Sequence, residues 1–255
     1  MNGYFLTDRG QVRNHNEDAG GLYMNANHQT LAVVADGMGG HRAGDVASEM
    51  AASNLHKKWQ TAEKMTTPEQ AEDWLDLAIK EINEEIFSYA TENEECKGMG
   101  TTVVAAICTT DFVTIAHIGD SRCYLANAYG FKQVTEDHSL VNELVRSGQI
   151  TKEDAEHHPR KNVLLKALGT EQHISMDVHT LGWEEGNTLL LCSDGLTNKL
   201  GDEELYALVK DPIELEELAK RLIDVANSRG GEDNITLALV HYDSQQSKVG
   251  MNDAP

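Results

Sequence analysis

The chain predicts an α+β fold: a central antiparallel β-sandwich flanked by α-helices on both sides, in α-β-β-α layers. Three observations carry this. Short apolar runs bounded by Gly, Asp and Asn recur along the chain and read as buried strands. Two amphipathic helical stretches fall between the first strands and the later ones, and two more precede the last strand. No Pro-, Gly- and Ser-rich linker divides the 255 residues, and no tandem repeat is present, so each helix pair covers a sheet of the same unit.

The elements follow in order. Strands are expected at 3–8, 21–26 and 30–36, the last being Leu31-Ala32-Val33-Val34-Ala35 before Asp36-Gly37. Gly44-Asp45 gives a start signal for a helix over 45–59, with Val46, Ala47, Met50, Ala51, Leu55 and Trp59 on one face. Pro68 opens a longer helix whose apolar positions Ala71, Trp74, Leu75, Ala78, Ile79, Ile82, Ile86 and Tyr89 repeat with a 3.6 period. From Thr101 the pattern turns to strands at 101–109, 112–118, 121–126 and 130–134. A helical stretch over 139–147 leads into a mixed, polar segment to 170. Strands near 173–179 and 187–193, helices over 202–209 and 213–228, and a last strand over 234–242 complete the domain, 1–243. The polar tail 244–255 has no period and is expected to be disordered.

Composition bounds the function. A chain of this size buries roughly 70–75% of the surface it exposes when unfolded, so its core needs no staples. Cys96, Cys108, Cys123 and Cys192 show no CxxC spacing and read as reduced core thiols. The N-terminus lacks a basic n-region and an apolar h-region, and no run reaches 18 apolar residues, so a cytoplasmic location without membrane insertion is expected. A net charge of −21 argues against nucleic acid as a partner. There are 11 histidines but no HExxH pair, and the glycine-rich stretch 37–44 has neither a P-loop lysine nor a GxGxxG.

The chemistry concentrates at four aspartates. Asp36, Asp120 and Asp194 each end an apolar run beside a glycine, and Asp233 stands just before another. If these strands pair antiparallel, the four carboxylates share one edge of a sheet. Such a cluster repels itself unless cations sit in it, and all-oxygen ligands favour hard divalent ions. A multi-metal carboxylate site on a β-scaffold is the expectation.

Further pieces surround that core. They are Asp8-Arg9-Gly10-Gln11-Val12-Arg13-Asn14-His15-Asn16-Glu17-Asp18, Asp36-Gly37-Met38-Gly39-Gly40-His41-Arg42-Ala43-Gly44, Gly100-Thr101-Thr102, Gly119-Asp120-Ser121-Arg122, Ser193-Asp194-Gly195 and Glu232-Asp233-Asn234. Together, from about residue 4 to 242, they resemble the metal-dependent serine/threonine protein phosphatases of the PPM (PP2C) family, most of all its compact bacterial members. The resemblance implies a PP2C-like fold and two core Mn²⁺ or Mg²⁺ ions, with Asp36 bridging both and the Gly37 carbonyl ligating one. Asp194 and Asp233 complete the second, and Asp120 with Asp194 holds a third, weaker ion. It also implies phosphorylated protein substrates, a bacterial serine/threonine kinase whose products are reversed, a monomer, and a flap beside the active site over 139–170.

Arg13 suits a phosphate clamp, because a guanidinium meets two phosphate oxygens at once. Glu17 and Asp18 fit an outer shell that orients metal-bound waters; Asp18 alternatively caps a turn. Asn234 orients Asp233 or a water, or forms an Asx turn. A water between two divalent ions loses its proton far more readily than bulk water, with a pKa falling towards roughly 7, and the hydroxide attacks phosphorus in line. Met38 stands where eukaryotic members often carry a histidine, so the acid that protonates the leaving alkoxide is either His41 or a metal-bound water. Two other functions fit less of the pattern: a catalytically silent phosphoprotein-binding module of the same fold, and a two-metal hydrolase of another phosphoester such as a nucleotide.

Overall fold

The structure, a computed structural model, describes residues 1–39, 43–243 and 248–249. Two six-stranded sheets stack face to face with helices on both outer faces. The first sheet holds β1 (Asn2–Asp8), β7 (Arg122–Asn127), β8 (Gly130–Gln133), β10 (Thr188–Cys192), β11 (Ile235–His241) and β12 (Lys248–Val249). Its order is β12-β1-β11-β10-β7-β8. The second holds β2 (Asp18–Met24), β3 (Thr30–Met38), β4 (Gly100–Thr101), β5 (Val103–Cys108), β6 (Phe112–Ile118) and β9 (Asp177–Gly182) in the order β2-β3-β5-β6-β9, with β4 beside β3. All pairings are antiparallel except β1 with β12.

Three apolar layers hold the sandwich together. Between the sheets lie Val34, Val104, Ile115, Leu189, Leu191 and Val240, with Cys108 and Cys123 among them. Outside the second sheet, α1 (Ala43–Gln60) and α2 (Pro68–Glu92) bury Leu55, Trp59, Leu75, Ile79, Ile82 and Ile86. Thr67 caps α2 by accepting from Gln70 N, and Pro68 sits where no amide donor is needed. Outside the first sheet, α6 (Asp202–Val209) and α7 (Leu215–Ser228) bury Leu205, Leu218, Leu222 and Ile223. All four cysteines are buried and unpaired.

Some boundaries differ from the sequence expectation. β2 begins at Asp18, not near 21, because pairing with β3 holds Gly20-Gly21 extended although glycine itself disfavours a strand. β9 lies at Asp177–Gly182, not 173–179. It is a half-exposed edge strand set by pairing on β6 and by a Thr114–Thr180 hydroxyl contact of 2.9 Å, so its apolar signal is weak. The flap segment contains α3 (Leu140–Arg146) and α4 (Lys152–Glu156), capped by Ser139 and Thr151. Most of the polar tail lies outside the described residues; Lys248–Val249 pair with Asn2 and Gly3. Among the described residues no helix is long and apolar enough to cross a membrane.

Candidate active site

Topology delivers the aspartates to one end of the sandwich. Strands β3 and β6 both run antiparallel to β5, so they run to the same end, which carries Asp36 near the close of β3 and Asp120 just past β6. In the other sheet β10 finishes where its neighbour β11 begins, at Asp194 and Asp233. The expected single sheet edge is thus corrected: two carboxylates come from each sheet and meet across the sandwich. Asp194 opens α5 (Asp194–Thr197), a turn the sequence did not reveal. Gly195 is required there, because a Cβ would lie 1.9 Å from the Asn234 carbonyl oxygen.

The cluster is closely supported. Asp18 pairs in register with Asp36, and its carboxylate accepts from Ser193 Oγ at 2.8 Å, so its side chain faces the site and caps no local turn. Ser193 Oγ in turn accepts from Thr236 N. Asp36 N donates to Thr102 Oγ1, and the Asp36 carbonyl accepts from Thr102 N and Thr101 Oγ1. Asn198 donates to Asp194 Oδ2 at 2.9 Å, whereas buried Oδ1 has no partner. Gly37 N donates to the Glu17 carbonyl, which also accepts from Ser48 Oγ at 2.6 Å.

Electrostatics follow from this crowding. Burial, then repulsion from Asp18, Asp194, Asp120 and Asp233, drives the Asp36 carboxyl well above the usual carboxylate range. Burial first, then Asp194 and Asp137, raises Asp120 to about 7. Asp18 also rises to about 7, chiefly through burial, although hydroxyl contacts from Thr236 and Ser193 oppose it. Burial and Asp233 raise Asp194, and burial raises Glu17 against the pull of Arg13. A cluster that resists ionisation, with an unpartnered buried oxygen on Asp194, is fit to hold cations that neutralise it. Its all-oxygen donors suit hard divalent metals.

Arg13 reaches this cluster from a half-exposed loop. Its Nη2 lies 2.9 Å from both Asp233 oxygens, its Nε donates to the Glu232 carbonyl at 3.4 Å, and Nη1 lies 3.9 Å from Glu17 Oε2. Asn234 fastens that loop. Its Oδ1 accepts from Glu17 N at 2.8 Å, and its Nδ2 donates to the Arg9 and His15 carbonyls at 2.9 Å each. The side chain therefore binds backbone and not Asp233. His41 lies outside the described residues.

Comparison with known proteins settles the family. The model of the family described as protein phosphatase 2C matches residues 8–237. The chain belongs to the protein phosphatase 2C family. It is similar to the serine/threonine phosphatase stp of Listeria monocytogenes, with 51% identity over 96% of this chain and 98% of that protein. The crystal structure of the serine/threonine phosphatase Stp1 from Staphylococcus aureus superposes with a TM-score of 0.90, at 42% identity and covering 95% of each chain. The catalytic domain of the serine/threonine protein phosphatase PstP, solved in complex with 2 manganese ions, superposes at 0.81, with 33% identity over 93% of this chain and 96% of that one.

Within this protein phosphatase 2C, the sequence singled out most of the cluster. It assigned nothing to Ser193, Thr102 or Asn198 individually. Asn198 was detectable as the i+4 partner of Asp194 on a helix. Ser193 reaches the Asp18 carboxylate, and Thr102 the Asp36 backbone, across strands, which spacing does not reveal.

Proposed function

We propose that this protein phosphatase 2C hydrolyses phosphoserine and phosphothreonine in proteins with two Mn²⁺ or Mg²⁺ ions. Asp36 would bridge them, with the Gly37 carbonyl, Asp194 and Asp233 as further ligands, and Asp120 with Asp194 would hold a weaker third. One observation supports this most: Asp36, Asp120 and Asp194, drawn from both sheets, crowd together beside Asp233 at one end of the sandwich, where burial and mutual repulsion hold those three carboxyls above their ordinary range. Bound divalent cations supply Lewis acidity at the phosphoryl group and lower the pKa of a coordinated water.

The chain's own residues do the rest. Arg13 offers a planar pair of donors to the phosphoryl oxygens. Its side chain is 47% exposed and its pair with Asp233 is worth little at that exposure, so a doubly charged phosphate can recruit it. Asp18, fixed by Ser193, and Glu17, fixed through its backbone by Asn234 and Ser48, would orient metal-bound waters beside the cluster. His41 is a candidate proton donor to the leaving alkoxide. The flap, 139–170, contacts the phosphoprotein around the scissile group. A serine/threonine kinase of the same cytoplasm makes the substrates, and the enzyme acts as a monomer.

The test is a panel of phosphothreonine peptides and nucleotides, with Mn²⁺ and with chelator. Release of phosphate from the peptides, only with Mn²⁺, supports the assignment. Peptide binding without turnover indicates a silent binding module, and preference for nucleotides indicates a different hydrolase.

A further inference from the structure

Outside the carboxylate cluster, a close group of titratable side chains lies at the root of the flap. Here the chain leaves β8 and passes β7 and β6 before entering α3. Arg122 grips Asp137 with two donors, Nε to Oδ1 at 2.9 Å and Nη2 to Oδ2 at 2.7 Å. The next residue, His138, makes a double contact with Gly119. Its backbone N donates to the Gly119 carbonyl at 2.9 Å, and its ring Nδ1 accepts from Gly119 N at 3.2 Å. The His138 carbonyl accepts from Leu165 N, and Leu140 N donates to the Val163 carbonyl, so both arms of the flap meet at this residue.

The far side of the ring is equally enclosed. His138 stacks on His117 with centroids 4.8 Å apart, and Nε2 lies 3.4 Å from Asp177 Oδ2. His117 Nε2 is fixed by the Glu136 carbonyl at 2.8 Å. His117, His138 and Asp177 present ligand atoms within 4.8 Å of one another, which suggests a metal site at first sight. The tautomer argues otherwise. A ring nitrogen that accepts a backbone N–H carries the lone pair, so neutral His138 bears its proton on Nε2. That nitrogen has no lone pair for a cation unless the Gly119 contact breaks.

Position 119 takes only glycine. Its φ is +104°, and a Cβ would lie 2.5 Å from Thr102 Cγ2. Thr102 also bonds Asp36 N, and its hydroxyl meets Ser121 Oγ at 2.7 Å. The turn bearing Asp120 is thus clamped between Thr102, which holds Asp36, and His138, which holds the flap.

We propose that His138 is a positioning residue: its Nδ1 fixes the Gly119–Asp120 turn against the flap root, and so sets how tightly the Asp120 side of the site takes a divalent cation. The proposal rests on the metal site assigned above. Outer groups that orient ligands typically alter metal affinity about 10- to 100-fold when removed.

The two ring nitrogens can be separated by substitution. In His138→Asn the amide oxygen takes the place of Nδ1, whereas in His138→Gln the amide nitrogen takes the place of Nε2. The full chain and the His138→Ala, His138→Asn and His138→Gln variants are titrated with Mn²⁺, by calorimetry and by hydrolysis of a phosphothreonine peptide. His138→Ala is expected to weaken the weakest Mn²⁺ step about 10-fold, His138→Asn to lie close to the parent, and His138→Gln to follow His138→Ala. Equal Mn²⁺ affinity in parent and His138→Ala overturns the proposal. So does an equal loss in His138→Asn and His138→Gln, a comparison that survives if His138→Ala does not fold. A parent that binds Mn²⁺ but releases no phosphate overturns the functional assignment instead, and the calorimetry still decides the role of His138.

Discussion

Replacing Asn234 with alanine separates loop positioning from metal binding. The side chain is buried and makes three hydrogen bonds, all to backbone: Glu17 N, the Arg9 carbonyl and the His15 carbonyl. Together they tie the loop that carries Arg13 to the start of β11. A buried hydrogen bond contributes about 0.5–1.5 kcal/mol net, so three of them sum to about 1.5–4.5 kcal/mol. The loop lies near solvent, and water replaces part of the loss at its carbonyls, which leaves about 2–3 kcal/mol. For a domain of this length that lowers Tm by roughly 4–12 °C. Loosening the loop frees Arg13, so KM for a phosphothreonine peptide should rise more than kcat falls. Asn234→Asp should be worse than Asn234→Ala, because a carboxylate accepts from Glu17 N but faces two carbonyls with no proton to donate. Thermal melts and steady-state kinetics at saturating Mn²⁺ measure both effects. An Asn234→Ala protein with unchanged Tm and KM would refute the assignment of this side chain as a loop fastener.

Arg13→Ala should lower kcat/KM for phosphopeptides about 10- to 100-fold, the value of a charge-assisted hydrogen bond, with Arg13→Lys recovering little; equal kinetics in all three proteins would remove the phosphate-clamp role. His41→Ala should slow a phosphothreonine peptide by about 10²-fold while sparing an aryl phosphate, whose leaving group needs no proton; normal turnover of the peptide excludes His41 as the acid. The raised carboxyls also set a pH dependence. Asp18 and Asp120, at about 7, hold protons in the folded chain that the unfolded chain releases near pH 4. The folded state therefore binds more protons between about pH 4 and 7, and the metal-free protein loses stability as pH rises through that window. Because Mn²⁺ competes with those protons, its stabilisation of Tm should grow from pH 5.5 to 8; a pH-independent increment would contradict the electrostatic description.

Much of this was legible in the sequence, for physical reasons. Asp36 and Asp194 follow short apolar runs bounded by turn residues, which read as buried strands, and a carboxylate at the end of a buried strand is conspicuous. The helix faces of α1 and α2 were legible because their apolar positions repeat every 3.6 residues over several turns. Strand boundaries shifted where pairing outweighed composition, at the start of β2 through Gly20 and on the half-exposed edge strand β9. The sharing of the cluster between two sheets was hidden, since an apolar run does not state which sheet it joins. The His117–His138–Asp177 group was also hidden. It arises from the register of β9 on β6 and from a turn that returns over both, and no spacing along the chain encodes that meeting. For Asn234 the sequence suggests only a hold on Asp233 or a water, or an Asx turn, because its partners lie more than 200 positions away.

The most direct measurement is the hydrolysis of a phosphothreonine peptide by exhaustively chelated protein, followed by stepwise return of Mn²⁺, for the parent and for Asp36→Ala. The account predicts no turnover in the chelated state, recovery in the parent as Mn²⁺ is added, and none in Asp36→Ala. Full-speed release of phosphate without metal, or an Asp36→Ala protein that recovers like the parent, would contradict it.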